Sequence, residues 1–480
     1  MKAGTRGQFK TRPHHKTFRG ILGSETGRPP GHRAAPVLVR LDPEPGVTPS
    51  KAPPVRIFVG SEPAQYRAER VLVWSVAKVR DPARAYEIHL MKDLAGFDRS
   101  GWKTGFTNYR YAIPHLAGGT GRAIYNDVDQ IYLGDPAELF DADMGGRGVL
   151  SIDDKETSVM LIDCEKMAPL WKLDEVHRLQ KHKHYRALAH DAGLWGHMPG
   201  VWNARDHEYV PGESKLLHYT ILHTQPWEPF PEHLRYEVNA NAGVWNALER
   251  EADAAGFTLF TKEQPSARYG ELLGMYAAMH EEGRPESGHS AAKTFSGISL
   301  VEHVEPVARL CRETGAETLL DFGAGKGGLY EDDPAHPAGS RHKRMKDWPG
   351  VAVTCYDPGY EPFSGPYEGS YDGVITTDVL EHIPEEDIAW VLDDLFAQAR
   401  KFVYAVAACY PAKKVMPDGS NAHCTQQPPS WWVGQLELAA RRNPGIRWVL
   451  CTQEKSLLAF EQRKRLTKKG VRSRFFEGRG

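Results

Sequence analysis

The stretch Ala123-Ile-Tyr-Asn-Asp-Val-Asp-Gln-Ile-Tyr132 is a short apolar run that leads into two aspartates, Asp127 and Asp129. In an extended segment, residues two apart point to the same face, so both carboxylates can converge on one cation. Carboxylate oxygens suit Mg²⁺ or Mn²⁺, and many enzymes hold a nucleotide diphosphate through such a metal. The stretch therefore predicts a buried strand that ends at a metal site, although the spacing alone also allows an acidic surface turn.

The size and composition of the chain indicate its general class. Its 480 residues predict two domains and a tail, and its formal charge of −2 gives no argument for a nucleic-acid partner. The six cysteines lie far apart without a C-x-x-C pair, which is typical of free thiols in a reducing compartment. Because no apolar run reaches the roughly 20 residues of a membrane span and the basic N-terminus lacks the apolar core of a secretory signal, we expect a cytoplasmic protein.

Residues 1–54 differ in composition from the rest of the chain, with many prolines and an excess of lysine and arginine over acidic residues. Such a segment buries too little apolar surface to offset the entropy of ordering it, so we expect a disordered basic tail. A basic tail could touch the anionic head groups of a membrane surface. A solvated extension without a partner is the alternative.

Strand-like and helix-like stretches alternate on both sides of Asp127. The strand-like runs are Val55–Val59, Tyr86–Met91, Arg122–Tyr125, Val149–Ile152 and Ser158–Ile162. Helix-compatible stretches, Ala64–Ala77 and Tyr109–Leu116, separate the first three of them. This alternation predicts an α/β fold with a largely parallel sheet, in which ligands bind at the carboxyl ends of the strands.

Three segments, taken in order, resemble conserved regions of glycosyltransferase family 8. Ala123–Phe140 is similar to its D-x-D region, Ser158–Asp163 to the strand that follows, and His218–Trp227 to its closing segment. The resemblance implies a Rossmann-like domain of the GT-A type over residues 55–262. It also implies a nucleotide-sugar donor and a glycan or glycolipid acceptor.

The same resemblance implies that a histidine completes the metal site of Asp127 and Asp129. We choose His218 over His223, because its distance to Pro226-Trp227 is nearer to that of the family. A divalent cation held there would stabilise the negative charge that develops on a leaving nucleoside diphosphate. The expected cofactor of this domain is therefore Mn²⁺ or Mg²⁺.

The closing segment departs from the family pattern at one position that matters for the donor. Gln225 stands where the family commonly has a phosphate-binding lysine, and the spacing is one residue longer than usual. Arg110 lies upstream in the donor-binding part of the domain. We expect Arg110 to replace part of the missing charge at the diphosphate.

A second motif begins at Thr318-Leu-Leu-Asp-Phe-Gly-Ala-Gly-Lys-Gly-Gly328, a buried strand that runs into a glycine-rich turn. The glycines also satisfy the G-x-G-x-x-G fingerprint of dinucleotide-binding enzymes. That fingerprint predicts an acidic residue about 20 positions on, where this chain has the basic run Arg341–Arg344. The next strand-like run, Val351–Tyr356, ends at Asp357, which is a candidate for binding ribose hydroxyls.

Tyr371–His382 closely resembles the fourth-strand motif of class I S-adenosylmethionine-dependent methyltransferases, which dehydrogenases lack. The resemblance implies a second Rossmann-like domain over residues 299–460, joined by a linker and helix over 263–298 and followed by a basic tail over 461–480. The residues that it implies for S-adenosylmethionine are Asp321, Gly323 and Gly325 at the methionine part, Asp357 at the ribose, and Asp378 beside the transferring methyl group.

Asp378, Glu381 and His382 have the spacing of one helical face, and His423 offers a further imidazole. An acid-x-x-Glu-His set with a distal histidine resembles the metal site of the small-RNA 2′-O-methyltransferases. A cation there would lower the pKa of an acceptor hydroxyl. Two alternatives stay open: the motif is generic in metal-free methyltransferases, and His423 is a general base or a structural residue.

These motifs together predict a bifunctional transferase that moves a sugar and methylates an oxygen, in the synthesis of a surface glycan or glycolipid. The alternative is a methyltransferase for RNA or a small molecule, fused to a glycosyltransferase-like domain that binds ligands without turnover. An RNA substrate would need a basic surface near the site, and Arg341–Arg344 with Lys413-Lys414 is only a modest signal.

Overall fold

A computed structural model describes residues 33–99, 102, 104–178, 181–230, 234–283, 290–330, 348, 350–367, 369–455 and 471–480. The described part divides into two compact units, one up to Leu259 and one from Phe260 onward. Both units combine helices with sheets that are rich in parallel strands, so the predicted α/β class is confirmed. None of the described helices has both the length and the apolar character that a bilayer span requires.

The first unit contains two sheets. Its described strands are β1 (Val37–Leu41), β2 (Val55–Gly60), β3 (Tyr86–Met91), β4 (Arg122–Asp127), β5 (Gln130–Tyr132), β6 (Val149–Ser151), β7 (Val159–Asp163), β8 (Trp195–His197), β9 (Ala204–Arg205) and β10 (Leu216–His218). The larger sheet has the order β1-β3-β2-β4-β7-β6-β8, and the smaller one has the order β5-β10-β9.

Most of the described helices of the first unit pack against its strands, and the last one packs against the first. They are α1 (Tyr66–Val79), α2 (Ile113–Leu116), α3 (Pro136–Phe140), α4 (Cys164–Met167), α5 (Leu173–Arg178), α6 (His182–Asp191) and α7 (Ala242–Ala254). Helix α1 connects the parallel strands β2 and β3 and buries an apolar stripe that includes Val71, Leu72 and Val76.

The larger sheet is mixed rather than largely parallel as predicted. Strand β2 pairs in parallel with β3 and β4, but β7 runs antiparallel to both β4 and β6. After β4 the alternation becomes irregular, because no helix separates β4 from β5 or β6 from β7. Strands joined without a crossover helix can run antiparallel, as β6 and β7 do.

The expected disorder of residues 1–54 is wrong for its last part. Strand β1 pairs antiparallel with β3, with Val37 opposite Leu90. Val37 and Val39 are buried while Leu38 and Arg40 are exposed. This alternation of buried and exposed side chains allows a strand to form here, despite the polar, proline-rich composition of the segment. Residues 1–32 lie outside the described residues.

The second unit is built on one six-stranded sheet with the order β12-β11-β13-β14-β15-β16. Its described strands are β11 (Thr318–Phe322), β12 (Ala352–Tyr356), β13 (Tyr371–Thr376), β14 (Ala399–Ala408), β15 (Arg447–Lys455) and β16 (Val471–Arg479). Its described helices are α8 (Ala267–Glu282), α9 (Val304–Thr314), α10 (Ile388–Gln398) and α11 (Pro429–Arg442). All neighbouring strands are parallel except β16, which runs antiparallel to β15.

Two segments outside the predicted methyltransferase range are integral parts of the second unit. Helix α8 lies in the predicted 263–298 linker, and its N-terminus is capped by Ser266, whose side chain accepts from the Tyr269 amide. The expected basic tail over 461–480 is wrong from Val471 onward. The side chains of strand β16 are mostly exposed, so its order depends more on backbone pairing with β15 than on side-chain burial. Residues 456–470 lie outside the described residues.

Candidate functional site

The structure brings Asp127, Asp129 and His218 together in the first unit. Each side chain offers a ligand atom, and these atoms lie within 4.8 Å of one another. Asp127 is the last residue of β4, Asp129 precedes β5, and His218 ends β10. The antiparallel register of β5 and β10 places His218 opposite Gln130. The imidazole therefore lies close to the aspartates, although His218 is about ninety positions away from them in the sequence.

The imidazole of His218 is held in one orientation by its other nitrogen. Nδ1 lies 2.9 Å from Asn203 Oδ1, an atom that can only accept, and Asn203 Nδ2 donates to Ser158 Oγ at 3.0 Å. A neutral His218 therefore carries its proton on Nδ1 and directs the lone pair of Nε2 at Asp129. Such a fixed tautomer is typical of metal-ligating histidines.

The facing atoms of Asp129 and His218 fit a cation. Asp129 Oδ1 is buried and accepts no hydrogen bond, although His218 Nε2 lies 3.2 Å from it. Two electron-rich atoms at this distance require a proton or a cation between them. The electrostatics agree: burial lowers the pKa of His218, but the neighbouring carboxylates, led by Asp129, together raise it more.

The sequence led us to expect Arg110 at a donor phosphate. In the structure, the three nitrogens of its guanidinium donate to protein groups. Its Nη2 donates to Asp127 Oδ1 at 2.8 Å, Nε donates to the Thr107 carbonyl at 3.0 Å, and Nη1 donates to Thr157. The guanidinium carbon lies 4.4 Å from the centre of the Tyr125 ring. Burial raises the pKa of Asp127 to about 6, and Arg110 opposes that rise. Arg110 therefore stabilises the ionised form of a candidate metal ligand.

Gln225, which stands where the family commonly has a phosphate-binding lysine, contacts the cluster itself. Its Nε2 donates to Asp129 Oδ2 at 3.0 Å and to the Tyr219 carbonyl at 3.1 Å. Sequence reasoning missed Asn203, which no local signal marks, and Tyr125, whose hydroxyl donates to Asp127. Tyr125 could have been found, because it lies two residues before Asp127 on the same strand face.

The second unit contains a cavity of about 300 Å³ at the carboxyl ends of β11, β12 and β13. The residues predicted to bind S-adenosylmethionine all line it: Asp321, Gly323, Gly325, Asp357 and Asp378. The opposite wall includes Tyr276 and His280 of α8 and the following Phe295, which sequence reasoning treated as linker. Only the apolar helical spacing of α8 could have indicated that this segment packs against the glycine-rich turn.

Two glycines of that turn are required by the backbone. Gly323 has a φ of 77°, and a Cβ there would lie 2.3 Å from Val379 Cγ2; Gly325 has a φ of 59°, and a Cβ there would lie 2.2 Å from the Phe295 carbonyl oxygen. Asp357 also holds the turn, since its Oδ2 accepts from the Gly325 amide at 2.8 Å. Gly325 therefore permits the close approach of two backbone segments that line the cavity, and Gly323 leaves room for the Val379 side chain.

Asp321 is the buried acid of the cavity. Its Oδ2 accepts a hydrogen bond of 2.8 Å from the Tyr330 hydroxyl. Burial raises the pKa of Asp321 to about 7, against the lowering effect of Tyr330 and with a further rise from Asp357. A cationic ligand would favour the ionised form of Asp321.

Asp378, His382 and His423 form the second cluster, again with ligand atoms within 4.8 Å of one another. Asp378 has a φ of 63°, and its Oδ2 accepts from Ser299 Oγ at 3.0 Å. The rings of His382 and His423 are 4.9 Å apart and nearly perpendicular. Burial lowers the pKa of His382 to about 4 and also lowers that of His423, so both imidazoles are neutral at pH 7.

Glu381 does not join this cluster, contrary to the expectation from its spacing. Leu380–His382 is a turn of 3₁₀ helix, so the i, i+3, i+4 face of an α-helix does not form. The side chain of Glu381 is buried, and its Oε1 accepts from the Ala408 amide at 3.0 Å. Burial raises its pKa far above the usual range, with a further rise from Asp378. Glu381 therefore holds the end of β14 and offers no ligand atom to the cluster.

Comparisons with known proteins yield structural likenesses at low identity. No protein-family model matches the chain, and no curated protein sequence matches it. The bifunctional glycosyltransferase WbbM is 12% identical, with a TM-score of 0.31 over 42% of this chain and 52% of its own. The galactosyltransferase LgtC is 13% identical, with a TM-score of 0.30 over 41% of this chain and 96% of its own.

A methyltransferase is also among the similar structures. The mitomycin 7-O-methyltransferase MmcR is 12% identical, with a TM-score of 0.21 over 54% of this chain and 63% of its own. The chain thus spans about half the length of WbbM and less than two thirds of MmcR. The function of the chain is therefore inferred from its two clusters of carboxylate and imidazole groups and from the cavity of the second unit.

Proposed function

We propose that the chain is a bifunctional transferase, with sugar transfer in the first unit and O-methylation in the second. The observation that carries this proposal is that each unit has a cluster of carboxylate and imidazole groups where strands of its sheet end. In the second unit that cluster adjoins a cavity lined by the residues expected to bind S-adenosylmethionine. We infer a nucleotide-sugar donor and a glycan or glycolipid acceptor for the first unit.

In the first unit, Asp127, Asp129 and His218 would hold Mn²⁺ or Mg²⁺. The bound cation would neutralise charge on the diphosphate as the bond between the sugar and the phosphate breaks. Asn203 fixes the neutral tautomer of His218 in which Nε2 carries the lone pair, and Arg110 favours the ionised form of Asp127. Both effects favour cation binding before the donor arrives.

In the second unit, Asp321, Gly323, Gly325 and Asp357 would hold S-adenosylmethionine, which would supply a methyl group to an acceptor hydroxyl. The new C–O bond would form as the C–S bond breaks, and the electron pair of that bond would stay on the sulfur. The proton of the hydroxyl needs an acceptor, and neutral His423 is suited to take it, because its Nδ1 lies 2.6 Å from the Tyr410 carbonyl and its Nε2 is left with a lone pair. A cation at Asp378, His382 and His423 would instead acidify the hydroxyl.

One observation favours a second candidate function. Arg110 is paired with Asp127, and Gln225 is uncharged and donates to Asp129, so neither side chain offers a positive charge to a diphosphate. This arrangement supports a first unit that binds a sugar or nucleotide without turnover, beside a methyltransferase for RNA or a small molecule.

Titration calorimetry on the full chain separates the two candidates. We expect binding of a nucleotide sugar that requires Mn²⁺, separate binding of S-adenosylmethionine, and Mn²⁺-dependent release of nucleoside diphosphate. Asp129→Asn should abolish the release without changing S-adenosylmethionine affinity, whereas Asp154→Asn, at an exposed acid of the same unit, should change neither. Donor binding without release from any nucleotide sugar would favour the second candidate, and release that survives a chelator would contradict the metal role.

A further inference from the structure

The two imidazoles of the second cluster are held through their Nδ1 atoms by different kinds of group. His423 Nδ1 lies 2.6 Å from a backbone carbonyl, that of Tyr410. His382 Nδ1 lies 2.7 Å from the hydroxyl of Tyr276, a residue of α8. A carbonyl can only accept a hydrogen bond, whereas a hydroxyl can also donate one. The tautomer of His423 is therefore fixed by the backbone, whereas that of His382 depends on the direction of its hydrogen bond to Tyr276 and on the Ala422 carbonyl, which also interacts with the imidazole.

The surroundings of Tyr276 decide which way its hydrogen bond runs. Its hydroxyl also lies 3.4 Å from the Ala422 carbonyl, which can accept the phenolic proton. The phenol oxygen is then free to accept from His382 Nδ1, so the lone pair of a neutral His382 is on Nε2. In the reverse arrangement, Nε2 would carry the proton and could neither bind a cation nor accept a proton.

We propose that Tyr276 is a positioning residue of the second site, which holds His382 in the tautomer whose Nε2 can bind a divalent cation together with Asp378 and His423. This inference rests on the proposed function of the second unit. It assigns a role to α8, which precedes the glycine-rich turn in the chain and belongs to no motif of the sequence. Tyr276 acts through His382 and needs no contact with the acceptor.

The packing of Tyr276 fits this role. Its ring packs at 5.5 Å against Phe295, whose carbonyl oxygen accepts from the Lys326 amide of the glycine-rich turn. The hydroxyl is therefore held at a fixed position relative to both the cluster and the cavity.

Mn²⁺ titration of Tyr276→Phe tests the proposal. The titration uses the full chain carrying Asp129→Asn and His218→Gln, which remove two ligands of the first cluster and leave the Arg110–Asp127 pair in place. In this background, we expect Tyr276→Phe to weaken Mn²⁺ binding by roughly tenfold to a hundredfold, as loss of a ligand-orienting partner does. Tyr276→Phe retains the ring and its packing, so the far-UV circular dichroism of the variant should match that of the background.

The chain offers a matched control at a second buried tyrosine–histidine pair. Tyr404 OH lies 2.7 Å from His303 Nδ1, and neither residue belongs to a metal-ligand cluster among the described residues. Tyr404→Phe removes the same kind of hydrogen bond from the same unit, so it should lower the melting temperature without changing Mn²⁺ affinity.

Each outcome of this titration supports or overturns a distinct statement. Weaker Mn²⁺ binding in Tyr276→Phe alone supports the positioning role. Equal Mn²⁺ affinity in Tyr276→Phe and the background, or an equal loss in Tyr404→Phe, overturns it while leaving the proposed cation in place. No Mn²⁺ binding by the background protein overturns the cation of the second unit, and the inference with it.

Discussion

Arg110 Nη2 donates a hydrogen bond of 2.8 Å to Asp127 Oδ1. The guanidinium that we expected at the donor phosphates is therefore paired with a candidate metal ligand. Both side chains are largely buried. The pair lowers the net negative charge of the cluster, but it keeps Asp127 ionised beside Asp129. We therefore propose that Arg110 raises the affinity of this cluster for a metal ion without contacting the ion.

Arg110→Gln should destabilise the first unit. The change leaves Asp127 as an unpaired buried carboxylate beside Asp129, and breaking such a pair costs about 3–5 kcal/mol. The free energy of unfolding can be measured by urea titration at pH 7. Arg40→Gln is the control: Arg40 pairs with Asp42 and Glu87 at the surface, where the loss should be under about 1 kcal/mol. A similar small loss in both variants would show that Arg110 has no structural role in the cluster.

The affinity for S-adenosylmethionine should rise with pH through about 7, the pKa to which burial raises Asp321. Below that pH the free protein holds a neutral Asp321, which must lose its proton to attract the cationic ligand. The dissociation constant should therefore increase by up to about tenfold for each pH unit below 7, and level off above it. Calorimetry between pH 5.5 and 8 measures the profile. Asp321→Asn should flatten it, and a flat profile in the unmodified chain would contradict the assignment.

Gly325→Ala should abolish S-adenosylmethionine binding and lower the melting temperature. A Cβ at this position would lie 2.2 Å from the Phe295 carbonyl oxygen, so the turn and the facing segment must separate. Gly419→Ala isolates the backbone effect, since Gly419 also has a positive φ, of 84°, but has nothing within 4 Å of its Cβ position. That control should cost about 1 kcal/mol of stability and leave binding intact. Comparable binding in both variants would refute the close approach.

Glu381→Gln and His423→Gln should behave differently, although sequence reasoning grouped both residues. Glu381 accepts a hydrogen bond from the Ala408 amide, and glutamine keeps an acceptor of the same size there. We therefore expect Glu381→Gln to keep Mn²⁺ affinity and methylation within about threefold, since it alters no cluster ligand. His423→Gln should abolish methylation. A chelator then distinguishes its roles: methylation that survives chelation identifies His423 as a base, and methylation that is lost identifies it as a ligand.

Local patterns predicted the parts of both sites that lie within a few residues of one another. Asp127 and Asp129 share a strand end, and Asp321, Gly323 and Gly325 share one strand and turn. Their geometry depends on backbone conformation over a few residues, which spacing and glycine content reveal. The same local reasoning failed at Glu381, because the backbone forms a 3₁₀ turn where an α-helix was assumed.

The sequence by itself determined the α/β class and the strand ends at which the two clusters lie, because hydrophobic periodicity and turn residues act locally. Only the tertiary structure decided that Asn203 orients His218, that Arg110 pairs with Asp127, and that α8 places Tyr276 against His382. These contacts join residues up to about a hundred positions apart. They depend on strand register and on the burial of whole elements, which no local pattern specifies.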